Sequence, residues 1–186
     1  MKEIYLKIAR QAIEDQLYNH NTIEREVLIE RYPELSQKGA TFVTLTLQGN
    51  LRGCIGSLVA HRILLDDIIS NARSAAFHDP RFMPLDKDEL SKIEIEVSLL
   101  SQPKPVTYTT TAELKSKIAI GIDGVVLNLD GRRATFLPQV WEELPSFELF
   151  FMHLCQKAGL QSNCLEAHPL IERYQVEKIK EVRHDT

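Results

Sequence analysis

Apolar residues recur at helical spacing from the start of the chain. Tyr5, Ile8, Ala9, Ala12, Ile13 and Leu17 lie three and four apart, which predicts an amphipathic helix over residues 3–19. A shorter helix is predicted over Ile23–Arg31, with Pro33 ending it. The period then changes. Phe42–Leu47 is β-branched and alternating, Gln48-Gly49-Asn50 reads as a turn, and Leu51–Leu58 reads as the returning strand. Residues 62–77 predict a long helix that buries Ile63, Leu64, Ile68, Ala72, Ala75 and Ala76 and stops at Pro80. Ile93–Leu99 alternates strictly, as a half-buried strand does, and Pro103 and Pro105 follow it.

The second half loosely repeats this order. Thr110–Glu113 fits a capping box opening a short helix to Ile118. Asp130-Gly131 joins Val125–Leu129 to Arg133–Leu137 as a hairpin. Ser146 is placed to cap a helix whose Phe147, Phe150, Phe151 and Leu154 share a face, with Gly159 at its C-terminal stop. Tyr174–Lys180 alternates again as a last strand. Helices and antiparallel hairpins mix without regular strand-helix-strand alternation. The class expected is therefore α+β, not α/β.

Composition narrows the function classes. A chain of 186 residues fits one domain, 1–186, and buries about 70% of its unfolded surface without a metal or disulfide. The net charge of −4 speaks against a nucleic-acid coat. Apolar runs are too short to span a bilayer, and Glu3, Glu14 and Asp15 interrupt any signal-peptide core. Three cysteines, an odd number, suggest free thiols in a reducing cytoplasm rather than a disulfide framework.

The most unusual string is Leu51-Arg52-Gly53-Cys54-Ile55-Gly56. On a regular strand Arg52, Cys54 and Gly56 share one face, and Leu51, Gly53 and Ile55 the other. Leu51 and Ile55 suit a core, so the Arg52–Cys54 face is expected to open to solvent or a cleft. A guanidinium beside a thiol favours the reactive thiolate. A glycine leaves room for a ligand or another backbone to approach. The competing reading makes Cys54 a small buried hydrophobe and the glycines bulge positions. Asp79 and Arg81, in His78-Asp79-Pro80-Arg81-Phe82, could fix an anionic ligand or orient an imidazole, or could simply form a local ion pair. A Cys54 triad with His78 or His61 and Asp79 is conceivable. His153, Cys155, Cys164 and His168 do not make a metal site, because residues two apart on a helix point about 200° apart. No nucleotide-binding glycine motif is present, and no cofactor is called for.

Together LRGCIG at 51–56, DPRF at 79–82, TFLPQV at 135–140 and KAGL at 157–160 resemble the AMMECR-type domain family, the A protein of the AmmeMemoRadiSam system. The resemblance runs from about Gly39 to Glu181. It departs at Leu165, near where family members often carry a tryptophan. It implies a mostly antiparallel, curved or barrel-like sheet with flanking helices, a duplicated strand-and-helix unit and two unequal subdomains. It also implies association with a Memo-like protein and a radical-SAM protein, and a homodimer is among the assemblies to consider. It names no reaction.

Two functions are carried forward. In the first, the chain is an enzyme or enzyme subunit in which Cys54, Arg52, Asp79 and Arg81 do the chemistry and Gly53, Ile55 and Gly56 line the ligand. In the second, the LRGCIG segment is a non-catalytic dock for a small ligand or a partner.

Overall fold

The computed structural model describes residues 2–182. It forms two compact units. One is built from the chain up to Leu100 together with the segment from Glu177 onward, and the other is Ser101–Val176.

The first unit opens with helices α1 (Glu3–Tyr18) and α2 (Arg25–Arg31). Strands β1 (Ala40–Leu47) and β2 (Asn50–Gly56) follow as a hairpin, then α3 (Leu64–Phe77), a short α4 (Lys87–Leu90) and β3 (Ile93–Leu100). Gln48 and Gly49 both adopt left-handed φ, at 52° and 78°, which a two-residue hairpin turn requires. Val43, Leu45, Ile93, Ile95 and Val97 point to one face of the sheet and meet Ile8, Ala9 and Ile13 of α1 and Leu65, Ile68 and Ala72 of α3. This is the burial that the two sequence periods call for. Asp86 and Glu89 close a reciprocal capping box on α4, an element too short to show in hydrophobic periodicity.

The second unit contains β4 (Lys104–Pro105), α5 (Thr111–Lys117), β5 (Gly124–Leu129), β6 (Arg132–Phe136), α6 (Phe147–Lys157) and β7 (Leu170–Tyr174). The expected caps are present: Thr110 Oγ1 accepts from Glu113 N–H at 3.1 Å and Ser146 Oγ accepts from Leu149 N–H at 3.2 Å. Trp141 stacks on Phe150 with ring centroids 3.7 Å apart, so the phenylalanine stripe and the tryptophan are core.

The α+β class holds, with two corrections. Instead of one curved or barrel-like sheet there are two four-stranded sheets, ordered β2-β1-β3-β8 and β4-β7-β5-β6, where β8 is Val176–Lys180. No closed barrel forms among the described residues. The alternating Tyr174–Lys180 segment is accordingly divided between β7 and β8. The duplication is visible in each unit: a hairpin, a helix, and a strand returning beside the hairpin's first strand.

The cysteine expectation is also corrected. Cys155 and Cys164 form a disulfide and only Cys54 is free. The end of α6 and the short turn Cys164–Ala167 bring the two Cα atoms to 5.8 Å, inside bridging range, at a separation of nine residues. Parity of the count says nothing about such a local contact. No helix among the described residues is long and apolar enough to cross a membrane.

The disulfide closes a small loop in the unit that holds the chain's one tryptophan. Replacing both cysteines by alanine is expected to lower stability by about 2–3 kcal/mol. Urea unfolding followed by Trp141 fluorescence measures this directly. An unchanged midpoint would show that the cross-link contributes nothing.

Candidate functional site

The LRGCIG strand is β2, the edge strand of the first sheet, and it is not regular. Leu45 pairs with Gly53 but Thr46 pairs with Leu51, so Arg52 is the extra residue of a β-bulge. The bulge resets the alternation. Cys54 faces the outer side of the sheet with Thr44, its register partner, and Thr44 Oγ1 lies 3.3 Å from Cys54 Sγ. Leu51, opposite Thr46, is 44% exposed rather than core.

Arg52 does not open to solvent beside Cys54. It is 9% exposed, and its guanidinium donates Nε and Nη2 to the Glu89 carboxylate at 2.8 and 2.9 Å and Nη2 to the Met83 carbonyl at 2.8 Å. Hydrogen bonds from Arg52, opposed by burial, hold Glu89 below the usual carboxylate range. Arg52 Nη1 is buried without a partner.

The glycines are filled by protein. A Cβ on Gly53 would sit 2.1 Å from the Ala75 carbonyl oxygen of α3, and one on Gly56 would sit 2.2 Å from the Phe42 ring. Gly53 thus lets a backbone approach, and neither glycine leaves ligand space. Ile55 packs against the first unit's core.

Asp79 and Arg81 do meet Cys54. Asp79 Oδ2 accepts the Cys54 backbone N–H at 3.0 Å, while Arg81 Nη2 reaches the Cys54 carbonyl at 3.4 Å. The two residues also pair with each other through Arg81 Nε and Nη2 at 3.0 and 2.8 Å. The Asp79–Arg81 pair therefore occupies the strand edge at Cys54 much as a neighbouring strand would. Hydrogen bonds from the Arg81 guanidinium, opposed by burial and reinforced by the Cys54 and Arg81 backbone N–H groups, hold the Asp79 carboxyl far below the usual carboxylate range. Asp79 in turn, with a smaller contribution from Cys54, holds Arg81 charged. With its oxygens so occupied, Asp79 orients no imidazole. His61 Nδ1 instead contacts the Val59 carbonyl, and His78 caps α3. Arg52 and Arg81 each approach the Phe82 ring, with centroid distances of 5.8 and 5.5 Å. Two surface cavities of about 420 and 430 Å³ lie beside Phe151 and beside Arg10, and Cys54 lines neither.

Sequence reasoning overlooked two features here. One is Thr44, whose position against Cys54 depends on the bulge. The other is Asp67, fully buried in the first turn of α3, which accepts from Thr41 N–H, Ser57 Oγ and Arg62 Nε, each at 2.7 Å, and so anchors the loop after β2.

An α+β chain with paired hairpin-helix-strand units and a half-buried thiol on a bulged edge strand defines the class. The AMMECR1 family model matches residues 6–179, and the chain belongs to that family. A protein of Methanothermobacter thermautotrophicus is 40% identical over 161 residues, covering 86% of this chain and 82% of that one. Protein Mbar_A1807 of Methanosarcina barkeri is 40% identical over 157 residues, covering 83% and 77%. The crystal structure of the uncharacterized protein PH0010 from Pyrococcus horikoshii is similar with a TM-score of 0.75 at 32% identity, covering 96% of this chain and 90% of that one.

Asp79→Ala leaves the Cys54 N–H and the Arg81 guanidinium without their acceptor and is expected to cost about 1–3 kcal/mol at pH 7. Because the folded carboxyl titrates lower than the unfolded one, this stability is present above about pH 4 and is lost as pH falls below it. Urea midpoints of wild type and variant should therefore converge in acid. A constant difference down to pH 2 would show that the carboxylate charge is not the cause.

Proposed function

We propose that the chain is a cysteine-dependent enzyme or enzyme subunit acting on a small molecule or a protein, with Cys54 as its nucleophile. The observation that carries this reading is the local division of labour at Cys54. Its backbone N–H and carbonyl are fixed by Asp79 and Arg81, while its half-buried Sγ faces the Thr44 hydroxyl. A nucleophile held by its own backbone is pre-positioned without loss of side-chain access. In the reaction the sulfur bonds to an electrophilic carbon, the leaving group departs with its bonding electrons, and the thiol proton passes to a base. Arg81, whose side chain is 54% exposed, is the group to hold an anionic part of the substrate. Arg52 and Glu89 support the strand from behind.

A second reading has its own support. Leu51, Leu58 and Val59 on and after β2, and Met83 after the DPRF turn, are large apolar side chains left exposed, Met83 at 81%. They suit a dock for a protein partner. The Memo-like and radical-SAM proteins are the partners this reading takes, and it needs no chemistry at Cys54.

Iodoacetamide labelling followed by intact mass tests the first reading, because the disulfide leaves one free thiol. One adduct at Cys54, formed at least about tenfold faster than on free cysteine at pH 7, is expected. A rate no greater than that of free cysteine sinks the enzyme reading. Undiminished binding of a purified Memo-like protein by Cys54→Ala, together with a slow thiol, would establish the docking reading in its place.

A further inference from the structure

The register of the first sheet places one more chemical group in line with Cys54. Thr44 pairs with Cys54 on one side and with Glu96 of β3 on the other. Directly opposite residues of antiparallel strands project to the same face with Cβ atoms about 5 Å apart. Cys54, Thr44 and Glu96 therefore form a row across three strands on the outer face of the sheet. Lys178 of β8 extends it, its Nζ 4.0 Å from Glu96 Oε1. A thiol, a hydroxyl that can both accept and donate, a carboxylate and an ammonium thus stand in sequence.

Resting on the nucleophilic reading of Cys54, we infer that Thr44 and Glu96 form the relay that removes the thiol proton. The Cys54 S–H proton passes to Thr44 Oγ1 as the Thr44 O–H proton passes to the Glu96 carboxylate. The sulfur then carries the electron pair that forms the new bond, and Glu96 ends as the neutral acid. Glu96 is half-buried and stands directly opposite Thr44 in the ladder, and the relay has it turn from Lys178 toward the hydroxyl. This supplies a base that neither His61 nor His78 provides.

Other charged groups border the row, and the pH dependence includes them. Glu94 and Lys180 form the adjacent pair on β3 and β8 at 3.7 Å, and Thr46 stands opposite Glu94. Arg81, paired with Asp79, lies at the Cys54 end. Arg81 stays positive and Asp79, held far below the usual carboxylate range, stays ionised, so Glu96 is the carboxylate that the row sets opposite the hydroxyl.

The test is the pH profile of Cys54 alkylation by iodoacetamide, in which sulfur bonds to the methylene carbon, iodide leaves and the thiol proton is released. The proteins are wild type, Glu96→Gln, Thr44→Val and the double variant, each with its circular dichroism spectrum and urea midpoint checked. Each single variant is expected to slow labelling about tenfold or more at pH 7, since a general base contributes at least that much. The double variant should be no slower than either single one, because the two groups act in one path. All four should converge near pH 10, where hydroxide removes the proton unaided. A fast wild-type thiol with unchanged profiles in both single variants overturns the relay and leaves the nucleophile standing. A slow wild-type thiol overturns both. Variants that unfold are replaced by Glu96→Asp and Thr44→Ser, which shift or retain the same acceptors. Serine matching wild type while aspartate does not would support the relay, and equal profiles for both would overturn it.

Discussion

The first unit's candidate site depends on a single carboxylate. Asp79 is buried, ionised and saturated with donors: the Cys54 N–H, the Arg81 N–H and two nitrogens of the Arg81 guanidinium. An edge strand ordinarily presents its outward N–H and carbonyl groups to whatever comes. Here one Asp–Arg pair takes both groups of Cys54. The edge is closed at that one residue without adding a strand, and the thiol is left on the sheet face. The tight turn through Pro80 makes this possible, because residues 79 and 81 must point back to the same strand.

The bulge at Arg52 is the second constraint. One extra residue sorts the hexapeptide into supporting and exposed parts. Arg52 leaves the ladder and braces α4 through Glu89 and the loop through the Met83 carbonyl. Gly53 brings β2 within touching distance of α3, where a Cβ would strike the Ala75 carbonyl. Cys54 is then set opposite Thr44. Were Arg52 paired in the ladder instead, Gly53 would stand opposite Thr44 and the thiol would turn toward the helices.

Most elements were legible because each carries a period or a cap. The α1 stripe, the β1 and β3 alternation, the Asp130-Gly131 turn and the Thr110 and Ser146 caps all rest on local chemistry. What was not legible is non-local or offset by one residue. Leu51, Arg52 and Cys54 sort onto faces by simple alternation only on a regular strand, and a bulge is invisible to alternation. Glu89 is thirty-seven residues from Arg52, and nothing near either predicts their pairing. Cys155 and Cys164 are close in sequence, yet their bond depends on how α6 ends. Tyr174–Lys180 alternates throughout, and only the tertiary structure divides it between two sheets.

The internal duplication shows what is particular to the Cys54 hairpin. Counting from the two left-handed turns, Leu47 and Asn50 correspond to Leu129 and Arg132. In the second hairpin the pairing runs on without a shift, so Arg52 has no counterpart and Cys54 corresponds to Thr135. Thr44 corresponds to Val126, and Glu96 corresponds to Glu172, which again sits opposite on the returning strand. The carboxylate is thus common to both units, whereas the bulge, the thiol and a hydroxyl at the central position of the row belong to the first alone. Shared architecture accounts for the strands, the turns and the glutamate. It does not account for an extra residue that destabilises a ladder, or for an Asp–Arg pair that repairs the edge around it. Those additions meet at one residue, Cys54, whose backbone the Asp–Arg pair holds and whose Sγ Thr44 faces, and they, rather than the repeated fold, set it apart.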